Sequence, residues 1–376
     1  MDPAYSQFRS TRVFGALDAL RAVSILAVIW HHAGGDSVSL ALAQHGFLGV
    51  DMFFAISGFL IVTLLLRERE SHGTIDLGRF YVRRALRIFP VYYALLLVLT
   101  VVLGVLKPGA SLAGPFFEKL PYYLTYTSNW LPDVTLLAIT WSLATEEQFY
   151  LVWPPLEKYL RRNVVLALLG LFVIVNQALN FQLCASYWPE WLVASRQHLE
   201  ILQITFTPIC LGVMLAHVLH DPRSYTVVRR IAGSGWSQLV AGALLVACAS
   251  CSGDIAGWPR LGVQVAMTWL LATCVVREDH ALQSFTALVP LKRIGVVSYG
   301  MYLYHPFTLH VTHAVFSRLG LDSAVVRFGL CTAATYIASE LSYRYYESAF
   351  LSLKDRLHGT RVSAAAKGGT GLQARP

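Results

Sequence analysis

Apolar stretches of membrane-spanning length recur along the chain and are separated by short polar connections. A transmembrane helix requires about 20 mostly apolar residues. The pattern predicts ten helices, at about 17–33, 46–66, 88–106, 138–157, 163–180, 199–219, 236–252, 259–276, 295–316 and 324–347. The segment from Phe116 to Trp130 is aromatic and only mildly apolar, and it predicts an interfacial helix or a partial span. The predicted fold is therefore all-α, a polytopic membrane helix bundle of about ten transmembrane helices.

Composition supports a membrane protein. Hydrophobic residues make up 55% of the chain and charged residues 14%, whereas soluble proteins contain about 25% charged residues. The net charge of +8 is explained by lysines and arginines held on the cytoplasmic side of a membrane, so no nucleic-acid partner is predicted. The six cysteines are scattered, mostly inside apolar stretches, and predict packing residues rather than a metal site.

The distribution of positive charge predicts the orientation. Most of the 30 lysines and arginines lie in alternate connections, on the same side as the N-terminus. Because such residues are retained in the cytoplasm, both termini are predicted to be cytoplasmic. The predicted organisation is a cytoplasmic N-terminal segment (1–13), a membrane domain (14–352) and a disordered cytoplasmic tail (353–376), which is small, polar and basic.

The first apolar helix carries ionisable residues that a membrane span normally lacks. A charge near the bilayer centre costs roughly 2.5–3.5 kcal/mol on insertion scales. Arg21 and His32 are eleven residues apart, which places them on nearly the same helix face, about 16 Å apart along the axis. Two interpretations stand at this point. The pair faces one shared cavity, or Arg21 reaches the cytoplasmic interface while His32 caps the far end.

The next two spans add a carboxylate and a basic cluster. Asp51 lies near the outer end of the second span and requires a partner, for which His45 or His32 would serve. Ser57 and Gly58 are small residues that let helices approach closely, so we expect them to pack. The basic cluster either anchors lipid headgroups or binds a phosphorylated cytosolic ligand such as coenzyme A; it comprises Arg83, Arg84 and Arg87.

Two later segments contain candidate acid–base groups. Glu146 and Glu147 are adjacent, so one is expected to face inward and the other a loop or headgroups. Glu146 shares a face with Tyr150, and on the predicted topology it approaches His32, which would make a general base; a charged interfacial turn is the alternative. His305 precedes Pro306 in mid-span, where it either lines the same cavity or is a satisfied core histidine.

Five segments occurring in order resemble acyltransferase family three, a family of bacterial integral-membrane O-acyltransferases. They read LDALRAVSILAVIWHH, GVDMFFAISGFLI, FYVRRALRIFP, TWSLATEEQFYLVWP and SYGMYLYH, and the resemblance covers about residues 14–350. The family motifs fall on Arg21 with His32, on Arg84 and Arg87 with Pro90, on Glu146 with Ser142 and Tyr150, and on Tyr302 and Leu303 with His305. Ala19 and Ala349 stand where the family often has glycine and proline.

The resemblance implies a multi-pass O-acetyltransferase of the bacterial inner membrane, with acetyl-CoA or another acyl-CoA as donor and no metal. We expect Arg84 and Arg87 to hold the CoA phosphates, with Arg21 deeper in the bundle, where as a catalytic residue it steadies CoA or polarises the thioester. His32 is the expected general base or transient acyl carrier, and Glu146 is expected to orient it. Residues of second rank are His305, Asp51, Tyr150 and Ser142.

The expected acceptor is a hydroxyl of a glycan or glycolipid, such as an exopolysaccharide, O-antigen or lipo-oligosaccharide. One alternative is acylation of a macrolide or another small molecule. A second is a proton-coupled membrane transporter, which also needs intramembrane Arg, His and Glu but predicts repeat symmetry and broken helices. A third is a polytopic scaffold or sensor, in which His32→Ala would leave acyl transfer unaffected.

Overall fold

A computed structural model describes the chain except residues 1, 12, 36–37, 131–136, 182, 184–195, 253–254, 278–281, 320–322 and 354–376. All but the first residue of the predicted tail lies outside the described residues. The described part is helical and contains no strand, which confirms the all-α fold. Its helices of eight residues or more are α1 Pro3–Ser10, α2 Gly15–His32, α3 Gly49–His72, α4 Leu77–Val101, α5 Ala113–Leu124, α6 Thr140–Tyr159, α7 Arg162–Asn180, α8 Arg196–Leu219, α9 Pro222–Ala232, α10 Ser237–Ala249, α11 Gly257–Val276, α12 Val289–Val296, α13 Ser298–Leu319 and α14 Ala324–Ser342.

Each of the ten predicted apolar stretches coincides with one of these helices. Within the described residues, four helices are long and apolar enough to cross a membrane, and six spans result if each of two bent helix pairs counts as one. The chain is therefore a multi-pass membrane protein. The count of ten spans and the cytoplasmic placement of both termini stay predictions.

The aromatic segment at 116–130 does not contain a full span. It forms α5, which has 12 residues, followed by one turn of 3₁₀ helix at Ser128–Trp130. Twelve residues extend about 18 Å, which is too short to cross the hydrocarbon core.

Helices α3 and α8 cross at a contact made by two glycines. A Cβ atom added to Gly58 would lie 2.2 Å from the carbonyl oxygen of Ile209, and one added to Gly212 would lie 2.1 Å from that of Ala55. The two backbones therefore touch, which confirms packing as the role of Gly58. Ser57 differs from the prediction, because it lines a cavity.

Helix α4 starts eleven residues earlier than the apolar pattern indicates, so the basic cluster lies inside the helix. Pro90 interrupts the hydrogen-bond ladder of α4. Tyr299 donates to the carbonyl of Ile88 at 3.1 Å, and Tyr346 donates to that of Pro90 at 3.2 Å. These bonds fix α4 against α13 and the turn after α14, and thereby fix the arginines one turn earlier.

The N-terminal helix α1 docks on the ends of α3 and α8. Tyr5 and Phe8 are buried, and Tyr5 donates to the carbonyl of His220 at 2.8 Å. Arg67 at the end of α3 donates to the carbonyls of Phe8 and Thr11, which the last turn of α1 leaves unsatisfied. The segment before the first long helix is thus an ordered part of the fold.

Candidate active site

Two cavities lie between the helices that carry the candidate residues. The arginine cavity, about 180 Å³, is lined by side chains that include Arg21, Arg84, Arg87, Glu146, Ser142 and Tyr302. The histidine cavity, about 330 Å³, is lined by side chains that include His32, Ile139, His305, His310 and His313. Helices α2 and α13 contribute to both cavities, and Ile139, just before α6, lines the histidine cavity while α6 itself lines the arginine cavity.

Helix α2 connects the two cavities. Arg21 lines the arginine cavity and His32, at the last position of α2, lines the histidine cavity. Eleven residues separate them by about 16 Å along the axis. The expectation of one shared cavity is therefore wrong, because the common helix face runs past two separate spaces.

His32 pairs with His305. Their rings stack with centroids 5.0 Å apart, and Nε2 of His305 lies 3.1 Å from Nδ1 of His32. Nδ1 of His305 lies 2.7 Å from the carbonyl oxygen of Tyr302. A carbonyl only accepts, so Nδ1 of His305 carries the hydrogen and its Nε2 accepts from Nδ1–H of His32. This assignment leaves the lone pair of neutral His32 on Nε2, which makes that atom the basic nitrogen of the pair.

The expected pairing of His32 with Glu146 is wrong. Glu146 accepts a short hydrogen bond from the hydroxyl of Tyr150 and lies 3.9 Å from Arg84, and it lines the other cavity. Glu146 is six residues into α6, about 9 Å from its start. The histidine at the end of α2 instead meets α13. His305, ranked second from the sequence, takes the place expected for Glu146.

Arg84 joins both glutamates. Its Nε lies 3.5 Å from Glu147, and its guanidinium stacks 3.7 Å from the ring centroid of Tyr150. The expectation that only one glutamate faces the protein is wrong, since both side chains are largely buried against this arginine. Two carboxylates thus counter the charge of Arg84.

The other two arginines of the cavity differ from Arg84. Arg21 pairs with Asp18 at 3.0 Å on its own helix. Arg87 is exposed and lines the cavity, and it forms no hydrogen bond or ion pair with any residue that the structure describes, although Glu347 is close enough to feel its charge. Arg87 is therefore the arginine best placed to receive an anionic ligand.

A pair of hydroxyl groups lies where the two cavities approach each other. The oxygen atoms of Ser142 and Tyr302 are 2.6 Å apart, and both lie within hydrogen-bond distance of the carbonyl of Ile139, at 3.1 and 3.2 Å. Ser142 and Tyr302 line the arginine cavity, whereas Ile139 lines the histidine cavity. We call Ser142 and Tyr302 the hydroxyl pair.

Asp51 lies outside both cavities. Its carboxylate is fully buried and accepts from Nη2 of Arg260 at 2.7 Å, whereas His45 bonds the carbonyl of Ala249. The expected histidine partner is therefore wrong. Arg260, near the start of α11, is only 2% exposed and supplies the opposite charge that a buried carboxylate requires.

Sequence reasoning missed several residues of the site. The sequence predicts that only one of Glu146 and Glu147 faces inward, and it gives no prediction for His310 and His313. His313 follows His305 by eight residues, about two turns of α13, and that repeat was the available signal. Although several histidines share the cavity, no group of three or more potential ligands among the described residues has the geometry of a metal site.

Comparison with known proteins identifies relatives along most of the chain. It is 27% identical over 360 residues to the peptidoglycan O-acetyltransferase OatA of Listeria monocytogenes, covering 90% of this chain and 56% of that protein. It is 27% identical over 391 residues to the putative peptidoglycan O-acetyltransferase YrhL of Bacillus subtilis, covering 95% of this chain and 58% of that protein. A putative O-acetyltransferase of Staphylococcus aureus is also 27% identical, over 378 residues, with 92% and 58% covered.

The chain thus spans less than two thirds of the length of these relatives. No solved structure gives a significant match. The acyltransferase domain of acyltransferase family three matches residues 14–344, nearly the whole chain, and includes every residue of both cavities named above. The chain belongs to acyltransferase family three.

Proposed function

We propose that this protein is an O-acetyltransferase that moves an acetyl group from cytosolic acetyl-CoA to a hydroxyl of a glycan or glycolipid in the bacterial inner membrane. Three relatives carry the name O-acetyltransferase, and two of them are named for peptidoglycan. Membership of the acyltransferase family supports the reaction class. The pairing of His32 with His305 is the structural observation that carries the proposal.

The arginine cavity is the proposed donor site. Guanidinium groups bind phosphate through paired hydrogen bonds. Arg87 makes the first contact with the CoA phosphates, while Arg21 and Arg84 add positive charge behind it. At about 180 Å³ the cavity is smaller than the roughly 300–1,000 Å³ pockets that enclose a whole drug-sized ligand. It therefore takes the thioester end of the donor, and the nucleotide stays at its mouth.

The histidine cavity is the proposed acceptor site. Nε2 of His32 removes the proton from the acceptor hydroxyl as the oxygen attacks the thioester carbon. The carbonyl of Tyr302 fixes the tautomer of His305, and His305 in turn accepts from Nδ1–H of His32 and orients the ring. Glu146 has a different role from the one expected, because it holds Arg84 and Tyr150 in place.

The orientation predicted from the positive charges suits this arrangement. With both termini in the cytoplasm, Arg84 and Arg87 lie in the cytoplasmic half of α4 and His32 lies at the outer end of α2. The donor then enters from the cytosol and the glycan from the opposite face.

The test measures CoA release and acetylated product by the purified full chain with acetyl-CoA and a pool of membrane glycans. We expect the wild-type protein to add the mass of one acetyl group to the glycan, and His32→Ala to lower kcat by about 10²–10⁴-fold, the range of a lost general base. His72→Ala, at an exposed position at the end of α3, is the control. Wild-type protein that consumes no acyl-CoA with any glycan would contradict the proposal.

A further inference from the structure

The hydroxyl pair lines the arginine cavity and adjoins the histidine pair, since the rings of Tyr302 and His305 lie 5.6 Å apart between centroids. Ser142 is one turn before Glu146 on α6, and Tyr302 is one turn before His305 on α13. Both side chains are buried, at 5% and 7% exposure. The hydroxyl pair is therefore next to both the proposed donor cavity and the histidine pair.

Apart from each other, the two hydroxyls have one acceptor among the described residues, the carbonyl of Ile139. One hydroxyl donates to the oxygen of the other, and the remaining hydroxyl hydrogen goes to the carbonyl of Ile139. The neighbouring carboxylate of Glu146 is already bound by Tyr150 and Arg84, so it does not compete for them. A new oxygen atom placed between the two hydroxyls would accept from both.

We propose that the hydroxyls of Ser142 and Tyr302 form the oxyanion hole of the acyl transfer. This inference rests on the proposed function. The bound thioester places its carbonyl oxygen between the two hydroxyls, where it replaces their mutual hydrogen bond. The bonds strengthen as negative charge develops on that oxygen, because hydrogen bonds to ionised acceptors are about twice as strong as neutral ones.

Acyl transfer proceeds by addition to the thioester followed by loss of the thiolate. The acceptor oxygen forms a bond to the thioester carbon, its proton passes to Nε2 of His32, and the π electrons of the carbonyl move onto the oxygen held by Ser142 and Tyr302. When the carbonyl re-forms, the carbon–sulfur bond breaks and the thiolate leaves. The imidazolium returns its proton to the thiolate, which yields the O-acyl ester and free CoA.

The contacts of Tyr302 allow a variant that removes the hydroxyl and keeps the packing of the ring. The ring of Tyr302 contacts Phe53 at 6.4 Å and His305 at 5.6 Å between centroids, and its backbone carbonyl bonds His305. Tyr302→Phe keeps all three contacts and removes only the hydroxyl. Ser142→Ala removes the other donor and leaves Tyr302 bonded to Ile139.

A matched control lies on the same helix. Tyr304 also pairs with a serine, Ser342 on α14, with the two oxygens 2.9 Å apart. Neither residue lines the arginine cavity or the histidine cavity. Tyr304→Phe therefore removes an equivalent tyrosine–serine bond without touching the proposed hole.

The experiment measures kcat and KM for acetyl-CoA, the pH–rate profile and the thermal unfolding temperature of the full-length protein. We expect Tyr302→Phe and Ser142→Ala each to lower kcat by about 10²-fold, with KM changed by no more than about threefold, because the lost bonds act in the transition state. The pH profile should keep its shape, since the histidine pair is intact. Tyr304→Phe should retain at least half of the wild-type kcat.

Other results would overturn the inference. A Tyr302→Phe protein with more than half of the wild-type kcat would show that the hydroxyl is not needed. A raised KM with unchanged kcat would assign the pair to donor binding. Equal losses of kcat and unfolding temperature in Tyr302→Phe and Tyr304→Phe would assign it to structure. Wild-type protein that releases no CoA would reject the proposed function itself, before any variant is compared.

Discussion

At the scale of single residues, the three arginines of the arginine cavity are distinguished by their neighbours. Arg84 contacts two carboxylates and Arg21 contacts one, whereas Arg87 has no hydrogen-bond or ion-pair partner in the part of the chain that the structure describes. An arginine that already has a carboxylate partner must give it up or share it when an anion binds. We therefore expect Arg87 to contribute most of the free energy of anion binding.

Arg87→Gln should raise KM for acetyl-CoA by about 10–100-fold, because a hydrogen bond to a charged group contributes about 1.5–3 kcal/mol. We expect kcat to change much less, since the phosphates lie far from the reacting carbon. Arg87→Lys should recover part of the affinity through its charge but not the paired geometry.

Arg83 provides the control for this substitution. It lies four residues earlier on α4, pairs with Glu68 at 3.3 Å and does not line the arginine cavity. Arg83→Gln should leave KM for acetyl-CoA unchanged. Equal effects of the Arg83 and Arg87 variants would show that the cluster acts through general positive charge, and the donor site would have to be placed elsewhere.

At the scale of elements, the stability of the bundle depends on the close crossing of α3 and α8. A methyl group at Gly58 has no room, because the carbonyl of Ile209 occupies its position. Gly58→Ala should destabilise the protein by about 1–3 kcal/mol, the usual cost of overpacking, and lower its unfolding temperature in detergent. Gly329→Ala on α14, where nothing lies within 4 Å, should not. Unchanged stability of Gly58→Ala would disprove the close crossing.

The docking of α1 should depend on pH through His220, which follows α8 directly. Burial, with smaller contributions from the nearby Arg67, Arg9 and His217, lowers the pKa of His220 to about 4. Its Nε2 is buried without a hydrogen-bond partner, so a proton there would be an unpaired charge. In the undocked state the pKa returns to about 6.5.

Undocking therefore takes up a proton between about pH 6.5 and pH 4, so α1 is held most firmly above this range and loosens as the pH falls through it. The docking equilibrium should weaken by up to about tenfold per pH unit. Amide hydrogen exchange of residues 3–10, compared at pH 7 and pH 5.5 after correction for intrinsic rates, measures the effect. His220→Leu should abolish the pH dependence. If the variant keeps it, another group controls the docking.

At the scale of the whole molecule, the apolar pattern predicted which segments are helices, since each of the ten stretches coincides with one. This succeeded because membrane-length apolar periodicity is a local property. The apolar pattern does not predict the first three turns of α4, residues 77–87, because they carry four arginines, and charged residues do not register as apolar although they continue the same helix.

The partners of the charged residues were not predictable in the same way. The sequence singled out Arg21, His32, Glu146 and Asp51 because ionisable groups are costly in a membrane. Which of them meet depends on how far each helix is shifted along its neighbours, and Glu146 and His32 line different cavities. The pairing of Asp51 with Arg260 also depends on helix position, since α3 and α11 bring these two distant residues to the same depth.

The site consists of two cavities, which allows the donor and the acceptor to enter from different faces of the molecule. The hydroxyl pair lines the arginine cavity and bonds the carbonyl of Ile139, which lines the histidine cavity, and His32 is about 16 Å along α2 from Arg21. In the proposed reaction, the donor enters the arginine cavity and the acceptor enters the histidine cavity, so the acyl group crosses the membrane while CoA stays on the side from which it came.

Transport of label through sealed proteoliposomes tests this claim most directly. Acetyl-CoA labelled in the acetyl group is supplied on the face that carries Arg87, with the glycan acceptor confined to the face that carries His32. We predict labelled glycan with wild-type protein and none above background with His32→Ala. Labelled glycan at the wild-type rate with His32→Ala, or product only when donor and acceptor share one face, would contradict it.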